Sequence, residues 1–271
     1  MNQYLEEKYF SWIPYPRFGE YTGRIKCPCH YLFWKHIERL FLNIKGKAVV
    51  DMGCGPGLKS LTLALAGANV IALDNNDKRL EEFKKNLALT ESKSRKLSLT
   101  IYLHDLRKKM SFLKSDFADC ILCYEVIEHL NNIAVFVREM IRIIKPGGTI
   151  LITTPNKNVC PVEEGERVYG ERLHGHVNGY DAASLRAAFD IEGVSIEDVF
   201  FYKHSLMRAC CSIIHKFMKF DRYRYRLPTV ICIFLNRVLF PILYLFVQLE
   251  ERLKKKRNTG KHIFIVLKRN Q

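Results

Sequence analysis

The sequence of 271 residues predicts a doubly wound α/β fold built on a mostly parallel, seven-stranded sheet. The first observation behind this prediction is an alternation from residue 47 onward, in which short β-branched runs are followed by longer amphipathic ones. Such alternation is typical of parallel strands covered by helices on both faces. The second observation is a glycine-rich segment, 53–57, between the first strand and its helix, where open α/β sheets bind ligands.

Seven strands and four helices follow one another along the chain. The predicted strands are 48–51, 68–73, 97–103, 119–124, 149–154, 194–202 and 263–267. The predicted helices are 59–66, 77–89, 134–144 and 182–189. The helix 77–89 carries acidic residues early and lysines late, as the helix dipole favours. Pro146, Gly147 and Gly148 are expected to end the third helix before the fifth strand, because proline and glycine do not continue a helix.

An insertion, 203–261, separates the last two predicted strands and carries most of the charge. The chain has a formal net charge of +15, and residues 201–271 contain 16 basic side chains against three acidic ones. An apolar stretch, 229–249, is long enough to span a bilayer. One crossing would place two strands of one sheet on opposite sides of the membrane. We therefore expect an apolar, basic helical element at the membrane surface, with a buried dimerisation or lid element as the alternative.

Three regions are predicted on this basis. The segment 1–46 is rich in aromatic residues and is expected to form an N-terminal lid or helical segment. The ligand-binding domain comprises 47–202 and 262–268, and 203–261 is the helical, membrane-associating insertion. The nine cysteines lack the paired spacing of a disulfide framework, and the N-terminus lacks a signal-peptide pattern. We expect a cytoplasmic protein with peripheral or monotopic membrane association.

The segment from Val49 to Gly57 is the first that points to chemistry. Glycine lets the backbone approach a ligand closely, and the start of the following helix offers unpaired N–H groups. Asp74 ends the second strand, at the spacing where an acid accepts both hydroxyls of a ribose. Asp105 follows the third strand, where it suits an adenine amino group. Taken alone, this spacing also fits a nucleotide-dependent dehydrogenase.

The sequence resembles the class I S-adenosylmethionine-dependent methyltransferases, which have a Rossmann-like fold. The resemblance covers residues 30–202 and the final strand, and it rests on the glycine segment, on Asp74, and on segments 119–130 and 144–155. It implies that S-adenosylmethionine is the cofactor and that Gly57 serves helix packing. By this resemblance the methionine part is held by Asp51, Gly53 and Gly55, the ribose by Asp74, and the adenine by Asp105 and Leu106, with Asn75 beside it.

The segment Glu125-Val-Ile-Glu128-His129 follows the fourth strand and therefore lies at the same sheet edge. Residues at i, i+3 and i+4 share one face of a helical turn, so two carboxylates and an imidazole converge there. Oxygen-rich ligation favours Mg²⁺. The segment is similar to that of the ubiquinone-pathway O-methyltransferases and the small-RNA 3′-end 2′-O-methyltransferases, which use it in a metal site completed by a downstream histidine. That similarity implies His176 as the fourth ligand, with His174 next. The alternative is that Glu128 and His129 only cap and pack the helix.

Methyl transfer to oxygen needs a base for the acceptor's proton, and the candidate catalytic residues are Glu125, His129 and His176. The leading hypothesis is O-methylation of a small, lipid-like or lipid-linked hydroxyl compound at a membrane surface. One alternative is an RNA 2′-O-methyltransferase that binds phosphate with its basic C-terminal region. RNA is the weaker partner, because Phe, Leu and Ile dominate the insertion, whereas RNA binders interleave basic and stacking residues. A non-catalytic scaffold of the same fold also stays open as a function, and the insertion could join two chains in an oligomer.

Overall fold

The computed structural model describes residues 37, 43–92, 96–160, 167–168, 171–172, 177–210, 212–213 and 239–271. The strands in these ranges are β1 (Ala48–Met52), β2 (Asn69–Asp74), β3 (Leu99–Leu103), β4 (Ala118–Tyr124), β5 (Ile144–Pro155), β6 (Arg167–Val168), β7 (Glu171–Arg172), β8 (Val194–Tyr202) and β9 (His262–Arg269). The helices are α1 (Leu58–Leu65), α2 (Asp77–Glu91), α3 (Ala134–Ile143), α4 (Ala182–Ala188) and α5 (Phe240–Lys254). A short 3₁₀ turn, Ile127–His129, follows β4.

Seven of these strands form one sheet, in the order β3-β2-β1-β4-β5-β9-β8. The neighbours from β3 to β5 are parallel, whereas β9 runs antiparallel to both β5 and β8. The strands β6 and β7 form a separate antiparallel pair. The predicted mostly parallel, seven-stranded, doubly wound sheet is therefore confirmed, with the helix α5 inserted before the last strand.

Both faces of the sheet are buried, which explains why its strands are apolar runs rather than alternating ones. Val49 packs on one face with Leu61 of α1 and Phe83 of α2. Val50, the next residue of β1, packs on the other face with Phe136 of α3. Successive strand residues point to opposite faces, so each central strand is fixed from both sides. The loops at the carboxyl ends of the parallel strands are thereby held on a rigid support.

The fifth strand begins earlier than the sequence predicts. The sequence places a strand at 149–154 after a turn made by one proline and two glycines, but β5 starts before that turn and includes it. The pairing of β4 with β5 shifts register between Ala118 and Cys120, which accommodates the extra residues as a bulge. Gly147 has φ of 73°, a left-handed conformation that favours glycine. The third helix ends before these residues, as predicted, but the prediction that the strand begins at residue 149 was wrong, because the bulge continues the ladder.

Two glutamates of α5 fasten this helix to the first residues of the insertion, directly after β8. Glu251 is 5% exposed and accepts hydrogen bonds from the backbone N–H groups of Lys203 at 3.3 Å and His204 at 2.9 Å, just after β8. Glu250 accepts from the backbone N–H of Leu206 at 2.8 Å, at the start of the helical residues 205–210. Buried carboxylates are retained where they are hydrogen-bonded. The helix α5 is therefore packed on the domain.

The three predicted regions are only partly within the described ranges. Of the segment 1–46, the structure describes residues 37 and 43–46, so the predicted lid lies outside it. The predicted apolar stretch 229–249 is described from residue 239 onward. Among the helices that the structure describes, none has the length and apolar character needed to cross a membrane.

Candidate cofactor and acceptor site

The glycine-rich loop between β1 and α1 lies at the carboxyl edge of the sheet and is shaped by close contacts. Gly53 has φ of 82°, and a Cβ there would lie 2.2 Å from Val126 Cγ2 in the loop after β4. Gly57 has φ of 84°, and a Cβ there would lie 2.1 Å from the Phe83 ring of α2. Both positions need glycine, because a neighbouring side chain occupies the space of a Cβ and because the backbone is left-handed. The contact with Phe83 agrees with the predicted packing role of Gly57.

Asp74 at the end of β2 holds this loop in place. Its Oδ2 accepts a hydrogen bond from the backbone N–H of Gly55 at 2.7 Å, and its Oδ1 accepts one from Asn76 at 2.9 Å. Two carboxylate oxygens offer about four lone-pair sites in all. Asp74, which is 8% exposed, therefore keeps acceptor capacity for the predicted ribose hydroxyls while it fixes the glycine loop.

Asp51 is the most deeply buried acid beside the glycine loop. It is 1% exposed, and the Ser60 hydroxyl donates to its Oδ2 at 2.5 Å. Burial raises the pKa of Asp51 to about 6, although Ser60 and the nearby Lys59 act in the opposite direction. An ammonium group placed beside Asp51 would favour its ionised form. This is the chemistry expected of a residue that holds the methionine part of the cofactor.

The predicted adenine residues are in different environments. Asp105 forms an ion pair with Arg107, with a distance of 2.9 Å between Nη2 and Oδ2. Hydrogen bonds from Arg107 hold the pKa of Asp105 below its usual value despite some burial. Leu106 is buried in the core, whereas Asn75 is exposed. Their role toward adenine stays a prediction.

Glu125 forms the centre of a hydrogen-bonded cluster at the ends of β4, β5 and β9. Its Oε2 lies 3.0 Å from Nδ1 of His262, and its Oε1 accepts a hydrogen bond from the Thr153 hydroxyl at 2.9 Å. Glu125 has φ of 55°, and its backbone N–H donates to the Thr153 carbonyl at 3.1 Å. A non-glycine residue with left-handed backbone is uncommon and is often found at functional sites. Burial raises the pKa of Glu125, but His262, Thr153 and Lys59 outweigh it, so the net direction is downward.

Three residues of this edge were not predicted from the sequence. His262 is the first residue of β9 and pairs with Pro155 of β5, so it comes to the site only through a long-range antiparallel pairing. Thr153 contributes from β5, in a run that reads as an ordinary buried strand. Lys59 lies with its Nζ 3.6 Å from the centre of the Tyr124 ring. Only Lys59 carried a local signal, a cation in the first turn after a ligand-binding loop.

Glu128 lies beside this cluster in a nearly closed environment. It is 1% exposed, and its Oε2 accepts a hydrogen bond from the Thr154 hydroxyl at 3.2 Å. Within the described part of the chain, its Oε1 has no hydrogen-bond partner. Burial, together with the charge of Glu125, raises the pKa of Glu128 well above its usual value. The backbone carbonyl of Glu128 accepts from Val177 at 2.8 Å, so the chain directly after His176 is held at this loop.

The predicted metal set is only partly described. His129 is exposed, with its Nε2 4.0 Å from Glu128 Oε1, and Glu125 is engaged by His262. Across residues 37 to 271, leaving out the gaps given above, no three His, Cys, Asp or Glu side chains are placed to hold a metal ion. His176 lies outside the described residues, as does His174. The described residues therefore lend the expected Mg²⁺ no support, and the set that includes His176 stays a prediction.

Comparison with known proteins relates the chain to methyltransferases. A family model for a methyltransferase domain matches residues 27–198. A ubiquinone biosynthesis O-methyltransferase of Dechloromonas aromatica is 35% identical over 119 residues, which are 43% of this chain and 48% of that protein. One of Rickettsia akari is 32% identical over 133 residues, which are 49% of this chain and 46% of that protein. The chain spans about half the length of the curated relatives it matches.

The fold is also found in solved structures. An S-adenosylmethionine-dependent methyltransferase from Mesorhizobium loti superposes with a TM-score of 0.54 at 16% identity, over 87% of this chain and 97% of that one. Identity this low shows the fold and carries no information about the acceptor.

Proposed function

Because the chain belongs to the methyltransferase-domain family, we propose that it is an S-adenosylmethionine-dependent O-methyltransferase acting on a small, lipid-like or lipid-linked hydroxyl compound. The observation that carries the proposal is the 3.0 Å contact between Glu125 and His262, an acid–imidazole pair at the same sheet edge as the glycine loop. Two of the matching relatives are ubiquinone biosynthesis O-methyltransferases, which supports oxygen as the accepting atom.

The loop after β1 has the features that S-adenosylmethionine requires. A Cβ at Gly55 would meet only Arg79 Nη1, at 3.8 Å, so the backbone borders open space there. Asp74 stands beside this space with acceptor capacity for two ribose hydroxyls. Asp51 supplies an acid for the methionine ammonium group. These residues suit the cofactor, and we propose that they hold it.

We propose that Glu125 and His262 together remove the proton of the acceptor's hydroxyl group. Bound S-adenosylmethionine supplies a methyl group on a positively charged sulfur, which an attacking oxygen displaces as a neutral thioether. The chain's part is to align the acceptor and to remove its proton. Glu125 is fixed by Thr153 and accepts the hydrogen of Nδ1 from His262. This tautomer leaves Nε2 of His262 able to take the proton, with the predicted bases His129 and His176 as alternatives.

The exposed face of α5 supports a membrane surface as the place of reaction. Five apolar side chains at helical spacing form this α5 stripe, and they are 49–70% exposed: Ile242, Leu245, Phe246, Leu249 and Leu253. Arg252 is exposed near the C-terminal end of the same helix, and Arg257 is exposed three residues beyond that end. An apolar helix face next to basic residues binds the boundary between headgroups and acyl chains. We therefore propose peripheral binding to anionic membranes, from which a lipid-linked acceptor is drawn.

Flotation with vesicles that contain anionic phospholipid tests the membrane part. The full chain should float, and the variant Leu245→Gln/Leu249→Gln/Leu253→Gln should stay at the bottom. Leu89→Gln/Leu103→Gln, which changes exposed leucines elsewhere, is the matched control and should float. If the chain binds RNA and does not bind the vesicles, the membrane proposal is wrong. The proposal is also wrong if the chain does not bind the vesicles and instead forms a dimer that the three leucine substitutions abolish.

Incubation with labelled S-adenosylmethionine and membrane lipid extract tests the reaction. Label should pass into the organic phase together with release of S-adenosylhomocysteine. Under the Glu125–His262 assignment, a strong chelator should leave the rate unchanged. Loss of activity in chelator and its return with Mg²⁺ would instead favour the predicted metal set with His176.

A further inference from the structure

Lys59 lies next to the glycine-rich loop at which the cofactor is proposed to bind. It is the second residue of α1, two positions after Gly57, and it is only partly exposed. Its Nζ lies 3.6 Å from the centre of the Tyr124 ring at the end of β4. The side chain thus reaches from the start of α1 to the end of β4, at the sheet edge beside the glycine loop.

The charges of two carboxylates, Asp51 and Glu125, act on the Lys59 ammonium group and favour its charged form, whereas burial lowers the pKa of Lys59. Asp51 also accepts a hydrogen bond from Ser60 at 2.5 Å, and Glu125 has hydrogen bonds of its own with Thr153 and His262. Both acids are therefore held in place by donors other than Lys59. A cation over an aromatic ring is attracted to the ring face, so Tyr124 helps to hold Nζ at this place.

We infer that Lys59 binds the α-carboxylate of the cofactor's methionine part, an inference that rests on the proposed use of S-adenosylmethionine. The methionine part is a zwitterion, with an ammonium group and a carboxylate on one carbon. Asp51 and Lys59 offer the opposite pair, one acid and one cation, and their charges act on each other at the same sheet edge. Charge-assisted hydrogen bonds of this kind are stronger than neutral ones. Lys59 thereby makes the site select a cofactor with an intact amino-acid end.

Calorimetric titration of the full chain with two ligands tests this role. Decarboxylated S-adenosylmethionine keeps the sulfonium, the adenosine and the ammonium group and lacks only the carboxylate. The wild-type chain should bind it about tenfold to a hundredfold more weakly than S-adenosylmethionine, the factor that corresponds to one hydrogen bond between charged groups. Lys59→Met should lose the same factor for S-adenosylmethionine and nothing for the decarboxylated ligand. Lys59→Arg should keep most of the preference, and Lys84→Met, at an exposed site on α2, should keep all of it.

The outcomes separate this inference from the proposed function. If Lys59→Met weakens both ligands equally, the lysine supports the loop and the inference is wrong. If the wild-type chain binds both ligands equally well, the inference is overturned without any variant, even if Lys59→Met does not fold. If the wild-type chain binds neither S-adenosylmethionine nor the decarboxylated ligand, the proposed function is wrong, and the inference about Lys59 is wrong with it.

Discussion

Glu125 and His262 are 137 residues apart in the chain and lie 3.0 Å apart in the fold, measured from Oε2 to Nδ1. The contact depends on two features of the sheet. The antiparallel pairing of β9 with β5 brings His262 opposite Pro155. The left-handed backbone of Glu125 turns the chain away from β4, so that its carboxylate meets the imidazole. The last strand of the chain therefore completes the sheet edge at which the glycine-rich loop lies.

Replacing the imidazole should separate catalysis from cofactor binding. His262→Asn should lower kcat by about 10²- to 10⁴-fold, the usual contribution of a general base. The Kd for S-adenosylmethionine, measured by calorimetry, should stay unchanged. His104 follows β3, the outermost strand on the other side of the sheet from β9. His104→Asn is therefore the control and should have the kcat of the wild-type chain. Full activity of His262→Asn would move the base to His129 or His176.

Asp74→Ala should weaken both the cofactor site and the loop next to it. The change removes the acceptor for the Gly55 and Asn76 N–H groups and for the predicted ribose hydroxyls. Loss of hydrogen bonds to a charged group costs about 1.5–3 kcal/mol of cofactor binding. Asp77→Ala, an exposed acid at the start of α2, should bind the cofactor normally. Undiminished affinity of Asp74→Ala in calorimetry would remove the ribose assignment.

Gly53→Ala should destabilise the fold, because the new Cβ would clash with the Val126 side chain. Left-handed backbone costs a non-glycine residue about 1–2 kcal/mol, and the new Cβ would also lie 2.2 Å from Val126 Cγ2. Gly147→Ala has a similar φ of 73° but meets no atom within 4 Å. In urea unfolding, Gly53→Ala should lose more free energy than Gly147→Ala, and adding Val126→Ala should recover part of the difference. Equal losses for the two glycines would show that the clash is relieved elsewhere.

The stability of the fold should fall as pH rises from about 4.5 to about 7, because of Glu251. Burial raises its pKa from 4.5 to about 7, although the N–H groups of His204 and Lys203 oppose this. Between these two values the folded chain holds a proton that the unfolded chain has lost, so the free energy of unfolding decreases with pH. The shift corresponds to about 3 kcal/mol at most.

Urea unfolding at pH 5 and pH 8 measures this effect. The loss of stability between the two values should be smaller in Glu251→Gln than in the wild-type chain. Glu250, whose pKa is lowered to about 2 by Lys254 and backbone N–H groups despite its burial, is ionised in both states over this range. Glu250→Gln should therefore leave the pH dependence as it is. An identical dependence in Glu251→Gln and the wild-type chain would show that the carboxyl group is hydrated.

The parts of the site that the sequence predicts are those set by local rules. The glycine loop and Asp74 follow apolar runs whose period and length identify them as strands, and parallel strands place their carboxyl ends at one edge. Asp51 lies in β1, and Gly53 and Gly55 follow within four residues of it. Their proximity can therefore be predicted without knowledge of the rest of the chain. The close approach of Gly57 to Phe83 also follows from a helix that must pack on this loop.

The remaining features depend on pairings between distant segments. His262 could be a surface residue at the start of any last strand, and only the insertion of β9 between β5 and β8 brings it to Glu125. The anchoring of α5 through Glu251 likewise joins residues that are 47 positions apart. The early start of β5 was missed because proline and glycine usually end an element, and here they form a bulge instead.

Titration of S-adenosylmethionine into the purified full chain is the decisive measurement for the proposed cofactor site. We expect saturable one-to-one binding that S-adenosylhomocysteine competes for and that Asp74→Ala weakens. Folded wild-type protein that shows no heat of binding and no competition would contradict the cofactor site, and with it the proposed methyl transfer.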